Sequence, residues 1–196
     1  MKIHFVVEGE LEYFVARKIL LFCGHQIGTP YKKRGSGNIQ KQAYIYANLV
    51  QGDVGVLVLT DFMDTKCPCA TQALKVYRHE KRMPSNFIIR FAVPELESWL
   101  LADRANFSNL LGVSPAKLPA QPDTLSDPKK TIGQLARLSR KKDIKEDLVT
   151  SSSRQGRRYI PLMQRFVEKE WDIEAAMKAS SSLARCIARL REIKPA

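Results

Sequence analysis

The stretch VGVLVLTDFMD, residues 54–64, carries the clearest structural signal in the chain. Its first six residues are nearly all apolar and rich in β-branched side chains, and Asp61 and Asp64 follow directly. A short apolar run of this kind is typical of a strand covered on both faces, as in the parallel sheets of α/β proteins. The stretch therefore predicts a central strand that ends at two aspartates.

Similar runs lie on either side of this strand. Residues 3–7 and 87–93 are also short and apolar, and residues 27–31 form a weaker candidate strand. Between the runs, apolar residues recur at helical spacing, as they do from Leu11 to Phe22. Strands that alternate with helices at this pitch predict an α/β fold, with a mostly parallel sheet flanked by helices.

The pattern changes after Glu95, where apolar residues recur at helical spacing only. A length of 196 residues fits one domain with an extension better than two full domains. We therefore expect an α/β domain over residues 1–104 and a helical C-terminal extension, residues 105–196, packed on it.

The composition excludes several classes of protein. With 44% hydrophobic and 27% charged residues, the chain can form a sizeable core, which excludes disorder of the whole chain. We find no apolar run near the roughly 20 residues that cross a bilayer, no signal peptide and no disulfide framework, so a cytoplasmic location is expected. A formal net charge of +12 is compatible with a polyanionic partner such as nucleic acid, although charge alone names no function.

Carboxylates follow each of the three clearest strands. The first carboxylate of each motif and its companion are Glu8 with Glu12, Asp61 with Asp64, and Glu95 with Glu97. Parallel strands end at one edge of a sheet, which is where α/β proteins build their sites. Carboxylates gathered there repel one another unless a cation neutralises them. Oxygen ligands without a His/Cys cluster favour Mg²⁺ or Mn²⁺.

Each motif alone also has a plainer interpretation. Acidic residues after strands often cap the next helix or lie in solvent. Glu97, and Glu10 between Glu8 and Glu12, are the weakest candidates and fit this interpretation best. The coincidence of three motifs at one edge favours a functional site.

The same motifs resemble those of Toprim domains, which occur in topoisomerases, bacterial primases and small nucleases. The resemblance lies in VEGELE at residues 7–12, LTDFMD at residues 59–64 and PELESWLLAD at residues 94–103, with DPKK at residues 127–130. The last two are similar to small stand-alone Toprim-like proteins that are often encoded beside an ABC-type ATPase in bacterial defence loci.

The resemblance implies a Toprim fold and metal-dependent cleavage of phosphodiester bonds. It implies that Glu8 is an acid/base or metal-ordering carboxylate and that Asp61 and Asp64 bind Mg²⁺. Two departures stand out. Two residues separate the paired aspartates where the common pattern has one, and Leu11 replaces a frequent threonine.

Basic residues complete the predicted site. Lys129 and Lys130 are the best candidates to neutralise charge that develops on a scissile phosphate. Further clusters at residues 32–34, 137–142 and 154–158 can contact a nucleic-acid backbone, although such runs are commonly solvated faces.

The sequence thus predicts a Mg²⁺- or Mn²⁺-dependent Toprim-type nuclease acting on DNA or RNA, as the effector of a two-component antiphage system. In this hypothesis Glu8, Asp61 and Asp64 bind the metal, and Glu12 and Glu95 complete or orient the shell. Two alternatives stay open. One is a catalytically silent Toprim-like subunit that binds or regulates an ABC-type ATPase. The other is a flavodoxin-like receiver with one phosphoryl-accepting aspartate.

Overall fold

Four strands form one parallel sheet in the order β2-β1-β3-β4. The structure is a computed structural model that describes residues 1–33, 35–148, 156 and 158–193. The strands are β1 (Lys2–Val7), β2 (Gln26–Lys32), β3 (Val54–Asp61) and β4 (Phe87–Ala92). This confirms the predicted α/β class with helices flanking the sheet, and the weak candidate at residues 27–31 is a strand of the sheet.

Ten α-helices surround the sheet within the described part of the chain. They are α1 (Glu10–Phe22), α2 (Ser36–Gln42), α3 (Ala70–Arg78), α4 (Glu97–Ala102), α5 (Arg104–Leu111), α6 (Pro128–Arg137), α7 (Lys142–Leu148), α8 (Tyr159–Lys169), α9 (Ile173–Ala179) and α10 (Ser181–Glu192). Short 3-10 helices lie at Ala43–Leu49, Met63–Thr65, Pro115–Lys117 and Pro122–Thr124.

The sheet has two covered faces because successive side chains of a strand point to opposite sides. Phe5 and Leu57 belong to one buried cluster together with residues of α1. Val6 and Val58 belong to a second cluster, on the side of α2 and α3. The continuous apolar run of β3 is thus explained by burial on both sides.

The second half of the chain packs on the α1 side of the sheet. Helix α8 contacts α1, α9 contacts α4, and α10 contacts β4. The buried cluster on this side extends from Ile3 to Ile193 without a break at residue 104. The two-part division at residue 104 stays a prediction, since both parts contribute to one core. Among the described residues, no helix combines the length and apolar character needed to cross a membrane.

The strand order creates a switch point between β1 and β3. The chain passes from β1 to β2 on one side, and then returns to place β3 on the other side of β1. The helices that follow β1 and β3 therefore lie on opposite faces of the sheet, and open α/β sheets bind ligands at the carboxyl edge beside such a point. Glu8 follows β1 and Asp61 ends β3, so both residues lie at this edge.

Candidate metal centre

The ends of β3 and β4 bring the second and third acidic motifs together. Asp61 is paired in register with Ala92, and the backbone N–H of Phe62 donates to the carbonyl of Ala92 over 2.8 Å. A cis Val93–Pro94 peptide then leads into the turn before α4. The backbone N–H of Leu96 in this turn donates to Oδ1 of Asp61 over 2.8 Å. The carboxylate of Asp61 is thereby fixed against the start of α4.

Three carboxylates converge at this point. Asp61, Glu95 and Glu97 each offer an oxygen, and these atoms lie within 4.8 Å of one another. The residues are 7%, 3% and 2% exposed. Acidic residues are rarely buried to this degree unless they are paired or bind a metal. This group, which we call the acidic triad, is the only set of three or more possible metal ligands found among the residues that the structure describes.

One oxygen of the acidic triad has no hydrogen-bond donor. Glu97 accepts a hydrogen bond at Oε1 from the Tyr159 hydroxyl over 2.9 Å. Its Oε2 atom is buried and accepts none. An ionised carboxylate oxygen in that state is costly, because it has lost water without gaining a hydrogen bond.

Helix α6 supplies a cation to the acidic triad. Asp127 caps this helix through the N–H of Lys130, and Pro128 follows at its first position, a combination that favours a helix start. The next residue, Lys129, donates its backbone N–H to Oε1 of Glu95 over 2.8 Å. Its Nζ atom lies 3.0 Å from Oε2 of Glu95, 3.6 Å from Oε2 of Glu97 and 3.8 Å from Oδ2 of Asp61.

The pKa shifts follow from this burial and crowding. Burial, and then the neighbouring Glu95, raise the pKa of Glu97 to about 7, although Lys129 opposes the shift. Burial also raises the pKa of Asp61 well above its ordinary value. Burial alone would lower the pKa of the Lys129 ammonium, but the three carboxylates outweigh it and raise that pKa. When no other cation is bound, Asp61 and Glu97 therefore release their protons at higher pH than an ordinary carboxyl does, and Lys129 stays charged.

The other predicted acids lie around the acidic triad. Glu8 is half-buried, and its pKa is raised by burial and then by the charges of Asp64 and Glu12. Glu12 also raises the pKa of Asp61, so the two groups of acids interact electrostatically. Asp64 is exposed on the 3-10 helix that follows β3. The structure thus brings Asp61 and Glu95 together and places Glu8, Glu12 and Asp64 outside the triad.

Glu97 is a correction to the sequence analysis, which ranks it with the solvated acids. It is buried because every residue of α4, from Glu97 to Ala102, is enclosed by neighbouring helices. No local sequence pattern predicts the burial of Glu97, since an acidic residue in the first turn of a helix is commonly exposed. Tyr159 lies on α8, and its contact with Glu97 spans 62 residues of chain, so no local pattern in the sequence indicates it.

The basic residues have different surroundings. Lys130 is exposed, in contrast to Lys129. Lys32 pairs with Glu10 over 2.7 Å, and Lys141 donates to the carbonyl of Asn109 at the end of α5 over 2.7 Å. Three predicted cluster members, Arg34, Arg154 and Arg157, lie outside the described residues.

Comparisons of the chain with protein families, with curated proteins and with solved structures found no match. The acidic triad offers hard oxygen ligands, one of them buried without a hydrogen-bond donor, beside a lysine and at the carboxyl ends of the adjacent strands β3 and β4. Such a set of donors suits Mg²⁺ or Mn²⁺.

Proposed function

We propose that this protein is a divalent-cation-dependent phosphodiesterase that cleaves DNA or RNA, with a Toprim-like fold and with Mg²⁺ or Mn²⁺ held by the acidic triad. The observation that carries the proposal is the burial of Asp61, Glu95 and Glu97 within 4.8 Å of one another. Three carboxylates so close together and so poorly solvated can ionise together only beside positive charge, and one lysine supplies only part of it.

The Oε2 atom of Glu97 supports a metal at this place. It is buried and accepts no hydrogen bond, its ion pair with Lys129 is 3.6 Å long, and a cation shared by the three residues could contact it directly. Asp61, Glu95 and Glu97 would hold the ion. This set differs from the one expected from the sequence, because it includes Glu97 and leaves out Glu8 and Asp64. When bound, the ion would polarise a phosphate and lower the pKa of an attacking water.

The surrounding residues have roles that their environments support. Glu8 is half-buried at the same edge, and its raised pKa suits a group that accepts a proton from the attacking water. Glu12 interacts electrostatically with both Glu8 and Asp61, and would orient the shell. The net charge of +12 favours a polyanionic substrate.

The test is a nuclease assay of purified protein on plasmid DNA and single-stranded RNA. Reactions contain Mg²⁺, Mn²⁺ or EDTA, and wild type is compared with Asp61→Asn and Glu10→Gln. The amide of Asn keeps an oxygen for the Leu96 N–H but removes the charge, so Asp61→Asn folds and loses activity. Glu10→Gln is the matched control, because Glu10 is an exposed acid at the same edge that pairs with Lys32. Cleavage that persists in EDTA or in Asp61→Asn would refute the proposal.

A second candidate is favoured by one observation. The Lys129 ammonium already lies within 4.0 Å of all three carboxylates, as in a site that has replaced its metal with a lysine. In this case the chain is a catalytically silent Toprim-like subunit, and its function is to bind or regulate a partner such as an ABC-type ATPase. It predicts no cleavage in any metal, alone or with the partner, and no thermal shift on addition of Mg²⁺.

A further inference from the structure

Lys129 occupies the place in which a cation would be held by the acidic triad. Its Nζ atom lies 3.0, 3.6 and 3.8 Å from oxygens of Glu95, Glu97 and Asp61, which are the three members of the triad. A metal ion shared by these residues and the ammonium of Lys129 would compete for the same oxygens. The two occupants are therefore alternatives for one site.

The ammonium is an incomplete match to the site. It donates a hydrogen bond to Glu95 over 3.0 Å, while Oε2 of Glu97 accepts none. It also brings one positive charge to three buried carboxylates. A divalent ion brings twice the charge and contacts all three oxygens together, so it can replace the ammonium without leaving an oxygen unpaired.

The head group of Lys129 can leave while its backbone stays in place. The main-chain N–H is held by Glu95, and the helix start is capped by Asp127, so neither contact depends on the position of Nζ. The Lys129 side chain is 40% exposed, so an open path to solvent exists along its flexible stem.

We infer that Lys129 is a tethered, exchangeable cation: it neutralises the acidic triad when no metal is bound, and a divalent ion displaces its ammonium toward solvent. This inference rests on the proposed function, because it takes the acidic triad as the metal site. The displaced ammonium remains beside the site, where it is free to contact an anionic phosphate. Metal binding and phosphate binding then favour each other, because each draws Lys129 away from the carboxylates.

The first test compares Mn²⁺ binding by wild type, Lys129→Met and Lys130→Met, followed by the paramagnetic resonance signal of free Mn²⁺. Lys129→Met removes the competing charge and keeps the aliphatic stem, so its affinity for Mn²⁺ is at least about tenfold higher than that of wild type. Lys130→Met is the control, since Lys130 is exposed and should bind Mn²⁺ as wild type does. Equal or weaker binding by Lys129→Met would overturn the inference.

The second test uses wild-type protein and so does not depend on the folding of a variant. Lysines are acetylated at low conversion in EDTA and in Mg²⁺, and tandem mass spectrometry reports the modification of Lys129 relative to Lys130. Release of the ammonium should increase the Lys129 signal severalfold in Mg²⁺ while Lys130 is unchanged. An unchanged ratio under saturating Mg²⁺ would contradict the exchange.

The outcomes separate the failure of the inference from the failure of the proposed function. If Asp61→Asn abolishes Mn²⁺ binding but neither Lys129 test responds, the metal site stands and only the exchange is wrong. If wild type, Lys129→Met and Asp61→Asn all fail to bind Mn²⁺, or all bind it equally, the acidic triad is not the metal site and both proposals fall.

Discussion

Replacement of Glu97 by Gln should remove the part of the pH dependence of the free energy of unfolding that comes from ionisation of Glu97, in protein without bound metal. Burial raises the pKa of Glu97 from an ordinary value of 4.5 to about 7. In wild type the protonated form is therefore favoured by folding. Its stabilising effect is complete below about pH 4.5 and is lost as the pH rises through about 7.

The size of the effect follows from the shift. A change of one pKa unit corresponds to about 1.4 kcal/mol, so ionisation of Glu97 lowers the free energy of unfolding by about 3 kcal/mol across this range. A Gln side chain does not ionise. It can also accept a hydrogen bond from Lys129 through its oxygen and donate through its amide to the Tyr159 hydroxyl, which keeps both contacts.

The assay is urea unfolding in EDTA, followed by tryptophan fluorescence, at several values between about pH 5 and pH 8. The free energies of unfolding of wild type and Glu97→Gln should be similar at the acidic end, and the variant should be more stable by about 3 kcal/mol at the basic end. Glu10→Gln, at an exposed ion pair, is the control and should follow wild type throughout. Parallel curves for wild type and Glu97→Gln would refute the reasoning.

Two further predictions concern packing away from the site. Lys18→Met should lower the free energy of unfolding by about 1–3 kcal/mol, measured by urea unfolding, because the Lys18 ammonium donates to the carbonyl of Trp171 over 2.8 Å at the end of α8. Gly55→Ala should be destabilising by about 1–3 kcal/mol in the same assay, because a Cβ atom there would lie 3.0 Å from the backbone oxygen of Asn86. Gly133→Ala, on α6 with open space around it, is the matched control and should instead gain up to about 1 kcal/mol. A stable Gly55→Ala protein, or an unchanged Lys18→Met protein, would contradict the respective packing argument.

The fold class was predictable because the apolar composition of each strand indicates by itself that the strand is buried. The run that forms β3 has apolar residues on both faces. The burial of its six positions from Gly55 to Thr60 can therefore be predicted from the run itself, without knowing which helices cover it. The type of helix between β2 and β3 was not predictable. Helical spacing indicates helices between the strands, and here the structure has α2 followed by the 3-10 helix Ala43–Leu49. A stripe of apolar residues does not distinguish the two helix types over so few turns.

The candidate site was predictable only in part. Parallel strands end at one edge, so the positions of Asp61 and Glu95 after adjacent strands were enough to predict that they lie together. The sequence could not show which of the two lysines contacts the acidic triad. Lys129 and Lys130 both lie in the first turn of α6, and only the packing of this helix turns the side chain of Lys129 toward the carboxylates. The burial of Glu97 depends on helices that come much later in the chain. These are long-range contacts, which no local pattern encodes.

The enclosure of α4 by late helices has a consequence for synthesis of the protein. Trp99 on this helix donates its indole N–H to the hydroxyl of Ser182 over 2.7 Å, and α10, which begins at Ser181, contacts β4. A nascent chain that has emerged from the ribosome only as far as α8 already carries the acidic triad, Lys129 and Tyr159, but it lacks α9 and the hydroxyl of Ser182, both of which contact α4. The packing that surrounds α4 is therefore completed only after the final helix has left the exit tunnel.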